Sequence, residues 1–288
     1  MKLLRVGNIG KEKPAFINLN GDIVDCSHYI HDFNPKTLNF DNLDKLKQQC
    51  FNNELVFSDK QLILSKNLRI GPCIDRPGKF IGIGLNYRDH AEETGAKPPK
   101  EPIIFFKTDT SISGPYDNII IPKNSKKTDW EIELGIVIGK KAQYISENES
   151  NDYILGYFIV NDISEREFQI ERSGQWDKGK GCDTFGPIGP YIVTKDEIKD
   201  IQNLNLELKL NGKVMQKGNT NKMIFSVNFI VSYLSNFMTL NPGDIIATGT
   251  PSGVGMGRTP QVFLKKGDEM ELKIDGLGFQ KQKVVTKI

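Results

Sequence analysis

Asp129-Trp130-Glu131-Ile132-Glu133-Leu134-Gly135-Ile136-Val137-Ile138-Gly139 is the stretch on which the reading of this chain turns. Its β-branched residues, its alternation and its closing glycine predict a strand. Side chains on a strand change faces at every residue, so Glu131 and Glu133 share one face while Ile132, Leu134, Ile136 and Ile138 share the other. The apolar row predicts a core. The two glutamates repel each other across a short gap. Either water screens them on the outer face of an edge strand, or a cation lies between them. A hard divalent ion (magnesium, manganese or calcium) is the species that carboxylate oxygens hold.

Further acids and bases gather around this strand. Residues 153–160 predict a second apolar strand that ends in Asn161-Asp162, which places a carboxylate at a strand exit as a candidate third ligand. Residues 86–95 predict a short helix, with Asn86 as N-cap, Asp89 at the position of a capping box and Gly95 as the stop. His90 and Glu93 fall at i and i+3 on one face. They are either an exposed charge pair or a carboxylate-assisted base able to take a proton from water. The Pro- and Lys-rich residues 96–102 predict a loop, and helix plus loop predict a lid. Residues 163–169 predict another short helix. Residues 173–181 are Gly- and Lys-rich and predict a mobile segment delivering Lys180. The loop Thr248-Gly249-Thr250-Pro251-Ser252-Gly253-Val254-Gly255 offers backbone N–H groups to an anion. It lacks the Gly-Lys-Ser/Thr ending of a P-loop, so a carboxylate suits it better than a nucleotide. Gly82-x-Gly84 lacks the third glycine and the acidic partner of a dinucleotide fingerprint.

Composition narrows the classes. A hydrophobic share of 38% with a charged share of 26% is that of a soluble globular protein. Thirty-eight Lys and Arg against 36 Asp and Glu give +2, too balanced for nucleic acid or an anionic membrane surface. No apolar run approaches the roughly 20 residues that span a bilayer, and the first residues are too soon polar for a signal peptide. Cys26, Cys50, Cys73 and Cys182 form no C-x-x-C pair, which predicts free thiols in a reducing cytoplasm. Residues 1–70 predict a small unit of their own, without evident chemistry; His28 and His31 predict surface loop histidines. Asn211-Gly212 and Asp275-Gly276 predict hairpin turns. Met223, Val227, Ile230, Val231, Leu234 and Met238 predict one core-facing helix stripe. With strands dominant and no βα alternation, the fold class is mainly β (α+β) with few helices.

Five motifs, in order, are Gly84-x-Asn86-Tyr87-x-x-His90-x-x-Glu93, Glu131-x-Glu133-x-Gly135, Asn161-Asp162-x-Ser164-x-Arg166, Lys180-x-x-Asp183-Thr184 and Thr248-Gly249-Thr250-Pro251. Through them the chain resembles the fumarylacetoacetate hydrolase family over residues 75–288. Gly174-Gln175-Trp176 with Lys178-Gly179-Lys180 looks like the subgroup of diketo-deoxy-sugar-acid hydrolases and ureidoglycolate lyases. The resemblance implies a mixed β-roll behind a small N-terminal domain, and a homodimer. It implies a divalent metal, Mg2+ with Mn2+ or Ca2+ as alternatives, held by Glu131, Glu133 and Asp162. It implies a His90–Glu93 dyad that activates water, and Lys180 against the substrate's carboxylate or developing oxyanion. Arg166, Gln169 and Thr250 match positions lining the site, with Tyr87 as a further substrate candidate. The implied substrate is a 2,4-dioxo acid, an acylpyruvate or diketo-deoxy sugar acid. Its C3–C4 bond would be cleaved by water through a metal-bound enolate to give pyruvate and a second acid. Ureidoglycolate lysis, oxaloacetate decarboxylation and isomerisation are rival outcomes on the same platform. A catalytically silent metal-binding protein is the rival outside enzymology.

Overall fold

The computed structural model describes residues 1–52, 63–65 and 67–286. Its centre is the strand Ile132–Ile138, every residue of which is buried. On one side it pairs antiparallel with Ile154–Asn161, Glu133 opposite Val160; on the other it pairs antiparallel with Ile245–Ala247. The edge-strand alternative is thereby excluded, and both faces of the stretch are interior. Gly135 lies opposite Phe158, whose ring covers it: a Cβ there would sit 2.6 Å from the ring carbons.

This large sheet continues through Ile245–Ala247 to Phe80–Gly84 and Ile103–Phe106 at one edge. In the other direction it runs through Gly186–Thr194 to Lys2–Val6, Lys13–Ile17, Ile23–Asp25 and Ile63–Leu64. The N-terminal strands therefore extend the same sheet. The chain's ammonium terminus is anchored on Thr194, and Phe16, Phe33 and Leu38 share a core with Phe158, Val160 and Ile188.

A second sheet of five strands, Lys213–Asn219, Asn205–Leu210, Glu269–Ile274, Gly278–Thr286 and Ile119–Ile121, stacks on the first. Leu206, Leu208, Met270 and Leu272 meet Ile132, Leu134 and Ile159 in the main core. The two hairpins of this sheet turn where the sequence places them. Asn211 and Gly212 both take positive φ, +52° and +78°, as a tight primed turn demands. Among the described residues the α-helices are few: Phe40–Asn52, Arg88–Glu93, Asp177–Lys180 and Val227–Ser235. The last carries the centre of the predicted stripe, with Val227, Ile230, Val231 and Leu234 turned inward; Met223 and Met238 lie outside the helix and pack partly buried against the same core. The fold is mainly β, as read from the sequence. No described helix is long and apolar enough to cross a membrane. Cys26 and Cys73 are buried and Cys182 is half-buried; the Cys50 side chain lies outside the described residues. His28 and His31 are exposed, as expected of loop histidines.

Candidate active site

The central strand brings Glu131 and Glu133 to one face, and the exit of its neighbour Ile154–Asn161 brings Asp162 beside them. One oxygen from each of the three carboxylates lies within 4.8 Å of the others, and all three residues are buried. That spread is what oxygens on opposite sides of one ion show at about 2.0–2.6 Å each. Among the described residues this is the one cluster of ligating side chains with such spacing.

The three acids are not equivalent. Glu131 receives Lys180 Nζ at 2.7 Å and lies 2.7 Å from Arg166 Nη2. Burial opposes its charge, but Lys180 and then Arg166 outweigh burial and hold the carboxyl well below its ordinary range. Asp162 is clamped by two ammonium groups, Lys107 on Oδ1 at 2.6 Å and Lys180 on Oδ2 at 2.7 Å. Among the described residues Glu133 has no cationic side chain of its own and accepts only the backbone N–H of Gly249, at 2.7 Å. Burial first, then Asp162 and Glu131, push its carboxyl well above the ordinary range. An all-oxygen, all-carboxylate donor set in which one member lacks a counter-charge fits a hard divalent cation.

Above the acids sits the short helix Arg88–Glu93. Its His90 Nδ1 lies 2.9 Å from Glu93 Oε1. With Nδ1–H donating to that carboxylate, Nε2 keeps its lone pair, the state a general base needs. Glu93 is itself fixed by the N–H of Gly253, at 3.0 and 2.8 Å to its two oxygens, and Asp89 accepts from Ser252 Oγ at 2.9 Å. The lid helix is thus docked onto the 248–255 loop. Asn86 does not cap it as expected: Tyr87 occupies that position without a side-chain bond. Instead the buried Asn86 amide donates to Phe225 O and Thr248 O and accepts from Phe225 N, stitching three segments together.

Three backbone N–H groups of the Gly/Thr loop go to the protein's own carboxylates: Gly249 to Glu133, Gly253 to Glu93, and Gly255 to Asp129 at 2.6 Å. No free anion is needed to satisfy them.

The acids and the lid enclose a cavity of about 220 Å³. His90, Glu131, Glu133, Arg166, Gln169 and Lys180 all line it, as does Thr250, which donates to Ile132 O. Arg166 donates to Asp129 Oδ2 at 2.9 Å and to Gln169 Oε1 at 3.1 Å. The helix predicted over 163–169 is a bridge, Ser164–Glu165, followed by a π-helical turn, Glu167–Glu171. Lys180 comes from a helical turn, Asp177–Lys180, rather than from a loose loop: Gly179 packs so closely that a Cβ would lie 2.4 Å from Glu165 O. Tyr87 stands apart from its expected role. It is fully buried, it does not line the cavity, and among the described residues its hydroxyl has no hydrogen-bond partner.

Three residues of the site went unread in the sequence. Lys107 bonds Asp162; Asp129 receives Arg166, Gly255 and Met256; Gln216 bonds Thr250 Oγ1 at 2.7 Å and the N–H of Ile132 at 3.0 Å. Lys107 carried a signal: it directly follows the apolar strand Ile103–Phe106, as Asp162 follows Asn161.

Residues 79–285 match the model of the fumarylacetoacetate hydrolase C-terminal family. A Burkholderia ambifaria protein named "Putative hydrolase" is 53% identical over 283 residues, 98% of each chain. Among solved structures, a fumarylacetoacetate hydrolase from the psychrophile Exiguobacterium antarcticum superposes with a TM-score of 0.82 at 31% identity, covering both chains completely. A 5-carboxymethyl-2-hydroxymuconate delta-isomerase from Mycobacterium smegmatis superposes at 0.75 and 30% identity, again over both whole chains.

Proposed function

The chain belongs to the fumarylacetoacetate hydrolase family, and on that premise we propose that it hydrolyses the C3–C4 bond of a 2,4-dioxo acid to pyruvate and a second carboxylic acid. The observation that carries this reading is the His90–Glu93 dyad set against a carboxylate triad across one small cavity. A divalent cation bound at Glu131, Glu133 and Asp162 would supply Lewis-acid polarisation of the 2-oxo acid. The remaining work falls to the chain's own groups.

His90 Nε2 takes a proton from water, and Glu93 stabilises the imidazolium that results. The hydroxide adds to C4. The C3–C4 bond then breaks, and its electron pair stays on C3 as the enolate of pyruvate. The proton held by His90 is returned to C3. The sum is R–CO–CH2–CO–COO⁻ plus H2O giving R–COOH plus CH3–CO–COO⁻. Lys180 and Arg166 line the cavity as fixed cations for the carboxylate and the developing oxyanion, each held in place by buried acids. Gln169, fixed by Arg166, and Thr250, fixed by Ile132 and Gln216, orient the substrate.

The test is a magnesium-supplemented screen of acylpyruvates, 2,4-dioxo sugar acids, oxaloacetate and ureidoglycolate, scored for pyruvate or glyoxylate. Pyruvate with an equimolar second acid from a dioxo acid supports the reading. Carbon dioxide from oxaloacetate, or glyoxylate from ureidoglycolate, without dioxo-acid cleavage would replace it with decarboxylase or lyase chemistry. An absorbance change with neither cleavage product would point to isomerisation, the reaction in the name of the M. smegmatis relative. The same proposal includes a homodimer, which light scattering checks.

A further inference from the structure

The cavity that serves the reading above is divided by chemistry, and the division bears on the substrate's acyl end. Its charged and amide groups, Glu131, Glu133, Arg166, Gln169 and Lys180, gather around the triad. The other walls are apolar: Leu85, Phe105, Ile170, Trp176 and Met256. The fixed cations on the lining stand at the triad end, where the 2-oxo acid's own carboxylate would meet them. Arg166 is held by Asp129 and Glu131, and Lys180 by Glu131 and Asp162, while His90 is turned to Glu93. Thr94, the hydroxyl on the lid side, donates to His90 O and Ala91 O.

The apolar wall is fixed by packing. Trp176 lies over Gly84, where a Cβ would be 2.4 Å from its Cζ3, and its ring stands 5.7 Å from that of Phe105. Phe105 in turn lies 4.9 Å from Lys180 Nζ. The volume, about 220 Å³, is below the roughly 300–1,000 Å³ usual for ligand pockets. A second carboxylate on the acyl chain would leave water for a wall without a counter-charge, and a polyhydroxy chain would lose water contacts to hydrocarbon.

We propose that this wall selects dioxo acids whose acyl end is short, apolar and uncharged, and that Ile170, half exposed at the mouth, is a position that sets the charge preference. This rests on the dioxo-acid reading of the site.

The test compares butanoylpyruvate with succinylpyruvate, whose acyl chain has the same four carbons but ends in a carboxylate, and with a 5,6-dihydroxy-2,4-dioxo acid. Expected kcat/KM favours butanoylpyruvate over both by about 100-fold or more. Ile170→Arg is expected to raise kcat/KM for succinylpyruvate about 10-fold or more while lowering that for butanoylpyruvate. A second readout needs no turnover. In magnesium, calorimetric titration with 2-oxohexanoate and 2-oxoadipate, neither of which has a C4 carbonyl to attack, should show the former binding at least about 10-fold tighter. Equal or better use of the acidic or hydroxylated substrate, or tighter binding of 2-oxoadipate, overturns the proposal. If no dioxo acid is cleaved, the hydrolase reading falls, and the paired titration still decides what the wall accepts.

Discussion

Lys107 gives the sharpest test of how the carboxylate cluster is held together. Its side chain is wholly buried, and its ammonium donates to Asp162 Oδ1 at 2.6 Å and to the carbonyls of Lys180 at 2.5 Å and Ile163 at 3.3 Å. Burial lowers its pKa, and Asp162 works against that shift. Methionine in its place keeps the length and loses the charge. Breaking a buried ion pair costs about 3–5 kcal/mol, because the partner is left uncompensated. Here Asp162 retains Lys180 at 2.7 Å on its other oxygen, so the lower end applies, about 3 kcal/mol. At roughly 2–4 °C per kcal/mol for a chain of this class, that is a fall in Tm of about 6–12 °C. There is an electrostatic signature as well. Glu131, Glu133, Asp162 and Asp129, if all are ionised, against Lys107, Lys180 and Arg166 leave one net negative charge, and the variant leaves two. Magnesium should therefore raise the Tm of Lys107→Met by more than it raises that of the unmodified protein. Thermal melts with and without magnesium measure both effects. A variant melting within about 2 °C of the parent, with the same magnesium increment, would refute the view that Lys107 balances the cluster.

Other perturbations separate the parts of the site. His90→Ala should lower kcat by about 10²–10⁴ while leaving magnesium binding by calorimetry intact; unchanged turnover would remove His90 from the chemistry. Glu133→Gln tests the acid lacking a counter-charge. A carboxyl raised in the folded state contributes stability that is present below its unfolded pKa of about 4.5 and is lost as pH rises through the folded value, by up to about 1.4 kcal/mol per pH unit. In chelator, the parent should therefore lose stability relative to Glu133→Gln as pH climbs above about 4.5, and magnesium should abolish that trend; denaturant melts across pH would show a flat difference if the reasoning is wrong. Asn86→Ala strands Phe225 N–H, Phe225 O and Thr248 O in the interior. It should cost about 3 kcal/mol or more by urea unfolding; a loss under about 0.5 kcal/mol would show that other groups take up those bonds.

What the sequence disclosed, and what it withheld, divides along physical lines. Strand alternation, helical periodicity and turn dipeptides all act locally, so the central strand, the Asn211-Gly212 hairpin and the Val227–Ser235 stripe could all be read before any contact was known. The pairing of Glu131 and Glu133 followed from the same strand alternation, and Asp162 from its place at a strand exit. The partners of those acids were not legible, because partnership across a fold is set by topology. Lys107 stands 55 residues from Asp162 along the chain, and Gln216 stands 84 from Ile132. Asn86 shows the local rule losing to the distant one. Its sequence context suits an N-cap, a contribution of about 1 kcal/mol. Burial instead confronts it with two carbonyls and an N–H that would otherwise be orphaned, and satisfying those outweighs a cap.

The 248–255 loop carries this argument furthest. A run of backbone N–H groups in a Gly/Thr loop is an anion site by its chemistry, and that reading of the sequence was sound as chemistry. What the sequence could not say is that the anions are internal. Gly249, Gly253 and Gly255 each grip a different carboxylate, and the three carboxylates have three different duties: Glu133 in the triad, Glu93 behind His90, Asp129 behind Arg166. One loop therefore fixes the acid cluster, the base and the cationic wall relative to one another. Movement of this loop would shift Glu133, Glu93 with His90, and Asp129 with Arg166 together. The site is thus held to one arrangement by backbone that, on its own, makes none of the reaction's contacts except through Thr250.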